Sequence, residues 1–190
     1  ILMNKHPPIA IEFSRIVAVD RLDQGEVVEE ISAGAQERLA LAARFDLVAL
    51  DSLSAQVSLR RIGRGPVVRV EGRLSADVVQ NCVVSLEPVH NRVEEDFVLL
   101  YAPEGSGGGE GHVLEEGFDL ADDEWPEPLE EGRIDIGEAV AQQLALALDP
   151  YPRKPGVRLE DVIGRHEGIG TDEPPASPFA ALARLSRRDS

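Results

Sequence analysis

The sequence predicts an α+β fold: an antiparallel, partly closed, barrel-like meander of about five strands, flanked by about three helices. Three observations carry this. Residues 55–101 hold successive β-branched, partly alternating segments divided by turn residues, the pattern of a meander. Residues 135–148 carry an apolar stripe at helical spacing, opened by an aspartate and closed by prolines. Hydrophobic residues make up 43 % of the chain but aromatics only 4 %, so a core is available and Leu, Val, Ile and Ala must build it.

Residues 9–19 are β-branched and read as a strand. Ser32 is a good N-cap for a helix to about Phe45, with Leu39, Ala42 and Ala43 on one face and Arg44 at the end that favours a cation. Ala55–Leu59 alternates cleanly, Gly63-Arg64-Gly65-Pro66 supplies a turn, and Val67 to Leu74 returns as a strand interrupted at Gly72. Val78 to Leu86 and Arg92 to Tyr101 read as two further strands joined through residues 87–91. Asp135 caps the next helix and Glu138 follows three residues later, an aspartate version of the capping box. Val140, Leu144, Ala147 and Leu148 form its stripe, and Asp149-Pro150-Tyr151-Pro152 ends it.

The organisation expected is a single domain over 1–190, with a flexible Gly-rich acidic loop at about 102–131. A linker at 167–176 precedes a short C-terminal helix at about 177–186, opened by Ser177-Pro178. No Lys or Arg stands between Arg92 and Arg133, whereas Glu115, Glu116, Asp119, Asp122, Asp123 and Glu124 crowd the loop around Trp125. Two readings stay open for that run: a solvated insertion, or a negative patch that receives a basic partner.

A net charge of −16 repels phosphate backbones at long range and attracts basic proteins. No stretch approaches the roughly 18 apolar residues that a membrane span needs. The N-terminus lacks a signal-like apolar segment with a cleavage site, and the start at Ile1 suggests extra residues ahead of Met3. The lone Cys82 excludes an intrachain disulfide and favours a cytoplasmic location.

Cys82 has two readings, a small buried structural residue or a nucleophile activated by His90. The four histidines are isolated, no Cys-x-x-Cys or His-x-x-x-His occurs, and the glycine run 105–111 lacks the Lys-Ser/Thr ending of a phosphate loop. No catalytic residue, cofactor site or metal site is therefore expected, and no small-molecule substrate.

Residues Val70–Val89, 132–156 and 177–185, in that order, resemble the YceD family of large ribosomal RNA subunit accumulation proteins. Gln80-Asn81-Cys82-Val83-Val84-Ser85-Leu86-Glu87-Pro88 is similar to the alphaproteobacterial branch, and Ala42–Leu47 agrees. Gln80, Cys82, Leu86, Glu87, Pro88, Asp135, Glu138 and Pro150 carry the likeness. Other branches carry Cys-x-x-Cys-type pairs that suggest a metal. Here Val83, Val84 and Ser85 follow Cys82 and no cysteine follows Pro150, so no ligand is carried over.

The resemblance implies a non-catalytic role in accumulation of large-subunit (23S) ribosomal RNA. The partner expected is a basic large-subunit ribosomal protein, pre-ribosomal RNA, or both. The acidic loop with Trp125, and the basic Arg153 and Lys154, are the candidate contact surface. The alternatives are an acidic interaction or chaperone module unrelated to ribosomes, and a cysteine-dependent enzyme.

Overall fold

Residues 11–63, 65–103 and 126–158 are described in a computed structural model. The chain divides into two units, Ile1–Lys154 and Pro155–Ser190, and only Pro155–Arg158 of the second is described. In order, the first unit contains β1 (Ile16–Ala18), a 3-10 turn (Val19–Gln24), β2 (Val27–Ser32), α1 (Ala35–Arg44), β3 (Ala49–Arg61) and β4 (Val68–Asn81). Then come β5 (Pro88–Pro103), β6 (Glu127–Leu129), β7 (Arg133–Asp135) and α2 (Ile136–Ala147). The expected α+β class holds. A five-stranded sheet runs β2-β3-β4-β5-β6, antiparallel except for the parallel β5–β6 pair, and β1 pairs with β7 in a separate ribbon.

The long strands β3, β4 and β5 are two-faced because their apolar residues alternate. Val57, Leu59, Val70, Leu74, Val93 and Phe97 point inward and join Leu41 of α1 and Val140 and Leu144 of α2 in one core. At roughly 25 cal/mol per Å² of apolar area removed from water, this burial is the main term favouring the fold. Gly72 is inside β4 and does not interrupt it. Its cross-strand partner Phe97 lies over it, and a Cβ there would stand 2.2 Å from the ring. A smaller cluster, Val67, Leu100 and Ala102, packs with Ile62 near the β3–β4 turn.

Several expected boundaries move. Residues 9 and 10 lie outside the described set, and only Ile16–Ala18 of the expected first strand is strand. The preceding residues are drawn off the ladder by α2, since Arg15 N–H donates to Asp135 Oδ1 (2.7 Å) and Ile136 N–H to the Arg15 carbonyl (3.0 Å). Ser32 ends β2 opposite Ser54 and is not the α1 cap; Gly34 takes that position. Glu37 reaches back to the Gly34 N–H (2.7 Å), while glycine has no side chain to return the bond. The buried face of α1 accordingly uses Leu41 and Ala42, and Leu39 is exposed.

The expected break between residues 74 and 78 is absent. Ser75, Ala76 and Asp77 continue β4 because Asp77 is satisfied across the strands: Ser52 Oγ donates to its carboxylate (2.7 Å) and receives its N–H (3.2 Å), next to a bulge at Leu50/Ser52. Of the expected 102–131 loop, Ala102–Pro103 and Glu127–Leu129 are strand, and residues 104–125 lie outside the described set. The expected helix at 177–186 also lies outside it.

Arg44, at the end of α1, reaches Glu138 at the start of α2 (2.7 Å) and Glu12 (3.0 Å). The side chain is a third exposed, so water screens the pairing. Arg44→Gln is expected to lower the unfolding free energy by no more than about 1 kcal/mol in urea titrations, with the loss shrinking as salt is added.

Candidate functional site

Six residues of the expected motif, Gln80, Cys82, Leu86, Glu87, Pro88 and Pro150, gather on a knuckle at one end of the sheet, whereas Asp135 and Glu138 do not. β4 ends at Asn81. Cys82-Val83-Val84-Ser85 then makes one helical turn, closed by a Leu86 N–H to Cys82 carbonyl bond (2.9 Å). Leu86 takes φ +59°, the left-handed conformation that ends such turns, and the Cys82 N–H to Glu87 carbonyl bond (2.8 Å) starts the return into β5. Cys82 is therefore the first residue of a turn and not a strand residue, and Leu86 is displayed to solvent.

The segment after α2 docks onto this turn. Val83 N–H donates to the Pro152 carbonyl (2.9 Å), Gln80 Nε2 to the Asp149 carbonyl (3.0 Å) and Lys154 Nζ to Glu87 (2.9 Å). Asp149 Oδ1 accepts the Tyr151 N–H (2.8 Å), fixing the path of the chain between Pro150 and Pro152. Pro150 itself is exposed and serves to end α2.

The Cys82 sulfur lies at the centre. It accepts N–H bonds from Val84, Ser85 and Lys154, each at 3.4 Å, the last from 72 residues away. The side chain has no exposed surface. These donors favour the thiolate and lower its pKa to about 6. The Ser85 hydroxyl is the largest cause and the Lys154 and Ser85 amides follow, while burial opposes. That hydroxyl has one proton to share between the sulfur and Glu87, whereas the three amides are fixed.

His90 is not brought to the sulfur. It pairs with Val79 on β4, three residues before Cys82, which is about 10 Å along a strand. It is exposed, and the contacts of the sulfur are main-chain amides and Ser85. The contacts favour the thiolate, and among the described residues no base is placed beside it. Among the described residues no group of three or more His, Cys, Asp or Glu could hold a metal ion.

Asp135 and Glu138 lie at the other end of α2 and hold the fold. Asp135 Oδ1 accepts the Gly137 (3.0 Å) and Glu138 (3.2 Å) amides. Glu138 does not turn back to close a capping box; its carboxylate holds Arg44 and Gln142. Of the candidate contact surface, Arg153 and Lys154 are exposed on the knuckle, and Glu115, Glu116, Asp119, Asp122, Asp123, Glu124 and Trp125 lie outside the described residues.

The sequence reading missed that the knuckle also exposes Val83, Leu86 and Tyr151. No periodicity marks them, because they sit in a turn and a proline-braced segment. On the outward face of the sheet lie two shallow depressions of about 460 and 640 Å³ that share Gln56 and Arg73. Both are open, and the Arg73–Asp96 pair (2.5 and 2.7 Å) borders the larger, which suits a surface more than an enclosed small-molecule site.

No curated protein and no solved structure matches the chain. A family model described as large ribosomal RNA subunit accumulation protein YceD matches residues 70–186. The match covers more than half of the sequence and takes in β4 from Val70 on, the knuckle, β5, α2 and the docked 149–154 segment, so the chain belongs to the YceD family.

Proposed function

We propose that this protein is a non-catalytic factor of ribosome assembly, acting in the cytoplasm, that supports accumulation of large-subunit (23S) ribosomal RNA. The observation that carries the reading is the family match over residues 70–186. The geometry is in keeping with it, because the cysteine of the motif joins two chain segments that the family match spans. Among the described residues no helix is long and apolar enough to cross a membrane. With a net charge of −16, a basic ribosomal protein is the favoured partner, and pre-ribosomal RNA the second, through Arg153 and Lys154.

Deleting the gene is expected to lower the ratio of large- to small-subunit ribosomal RNA, measured on total RNA, and a plasmid copy should restore it. His90→Ala should restore it equally, since His90 lies outside the knuckle. An unchanged ratio after deletion would leave an acidic interaction module unrelated to ribosomes. Failure of His90→Ala alone would revive the cysteine enzyme.

A further inference from the structure

Three large apolar side chains stand in solvent on the knuckle: Leu86 at 76 % exposure, Tyr151 at 70 % and Val83 at 45 %. They share one end of the sheet, because the Val83 amide is bonded to the carbonyl of Pro152, the neighbour of Tyr151. Leu86 is the most telling. A turn that ends at φ +59° is best served by glycine, and a leucine there pays a backbone penalty of about 1 kcal/mol or more. Its side chain is three-quarters exposed and recovers little of this by burial, so local packing does not account for it.

Tyr151 is equally prepared for contact. It stands between two prolines, with its N–H held by Asp149, so little backbone freedom remains to be lost on binding. Arg153 stands beside it, exposed and with no ion-pair partner among the described residues. An exposed aromatic and leucine at a rigid turn, with a cation at the rim, has the make-up of a small protein-binding anchor.

We infer that the knuckle is a docking site for a basic protein of the large ribosomal subunit, with Leu86 and Tyr151 as the anchors that enter apolar pockets on that partner. This rests on the ribosomal reading above. The charge of the whole chain selects the class of partner: −16 draws a basic protein in and repels RNA at long range, and the knuckle adds the apolar contact. Two of the three exposed side chains are aliphatic, which suits pockets in a protein better than stacked bases.

The test uses the full chain, immobilised, against two probes: purified basic large-subunit ribosomal proteins, one at a time, and naked large-subunit ribosomal RNA. Leu86→Gly and Tyr151→Ala are compared with the unsubstituted protein. At least one ribosomal protein is expected to bind, and each substitution should weaken it by about tenfold or more. Leu86→Gly should keep or raise the melting temperature, because glycine relieves the left-handed backbone, so lost binding would not reflect unfolding. If a ribosomal protein binds and both variants bind equally well, the docking site lies elsewhere and the ribosomal reading survives. If neither probe binds the unsubstituted chain, both readings fall. If RNA alone binds, and does so through Tyr151, the protein partner is wrong.

Discussion

Replacing Asp135 with alanine is expected to lower the unfolding free energy by about 3 kcal/mol, measured by urea denaturation with the slope unchanged. Asp135 joins three parts of the chain. Its carboxylate accepts the Gly137 and Glu138 amides of α2, the Arg15 amide at 2.7 Å and the Ser14 hydroxyl at 2.5 Å. A lone N-cap is worth about 1 kcal/mol. Here the same group also satisfies an amide and a hydroxyl on the segment that leads into β1, and alanine leaves them without that acceptor. The segment passes so close to α2 that a Cβ on Gly137 would stand 2.7 Å from the Phe13 carbonyl oxygen, leaving little space for a replacement acceptor. Asp135→Asn keeps an acceptor oxygen and should recover most of the loss. A deficit below about 1 kcal/mol for alanine would show that the cap alone matters.

What could be read from the sequence was what is local. The cap at Asp135, the stripe Val140–Leu144 and the reversal between Arg61 and Val68 each depend on neighbours within a few positions, and they appear where the pattern put them. β2 was missed because Glu29 and Glu30 give Val27–Ser32 the look of a loop. In the fold Glu30 accepts from Gln56 and Glu29 pairs with Arg21 at 2.8 Å. β4 was divided because Ser75 and Asp77 look like a corner until Ser52 is placed across from Asp77. The knuckle shows the same limit more strongly. Its decisive bonds join side chains to main-chain groups some seventy residues away, and backbone amides leave no trace in a residue pattern. The likeness to a family marked Gln80, Cys82 and Glu87 as a set, but not that they hold residues 149–154.

Replacing Cys82 with serine is expected to loosen that join while leaving the sheet intact. The shorter hydroxyl cannot hold three amides that are set at 3.4 Å around a sulfur, and it carries no charge at neutral pH. Hydrogen exchange at the Val83 and Lys154 amides should accelerate by on the order of tenfold or more, with the β3–β4 ladder unchanged. The pH dependence gives a second reading of the same bonds. The thiol is lowered from an ordinary value near 9 to about 6 in the fold. A lowered acid stabilises the fold fully above its unfolded pKa and loses that contribution as pH falls through the folded one. The unsubstituted protein should therefore gain stability relative to Cys82→Ser from pH 6 up to pH 9, and the two curves should run parallel below pH 6. Curves parallel across the whole range would mean that the sulfur is held as a neutral thiol. Alkylation separates this reading from the enzymatic one. A catalytic thiolate with so low a pKa reacts fast with iodoacetamide, whereas Cys82 has no exposed surface and should react only as fast as the 149–154 segment lifts away.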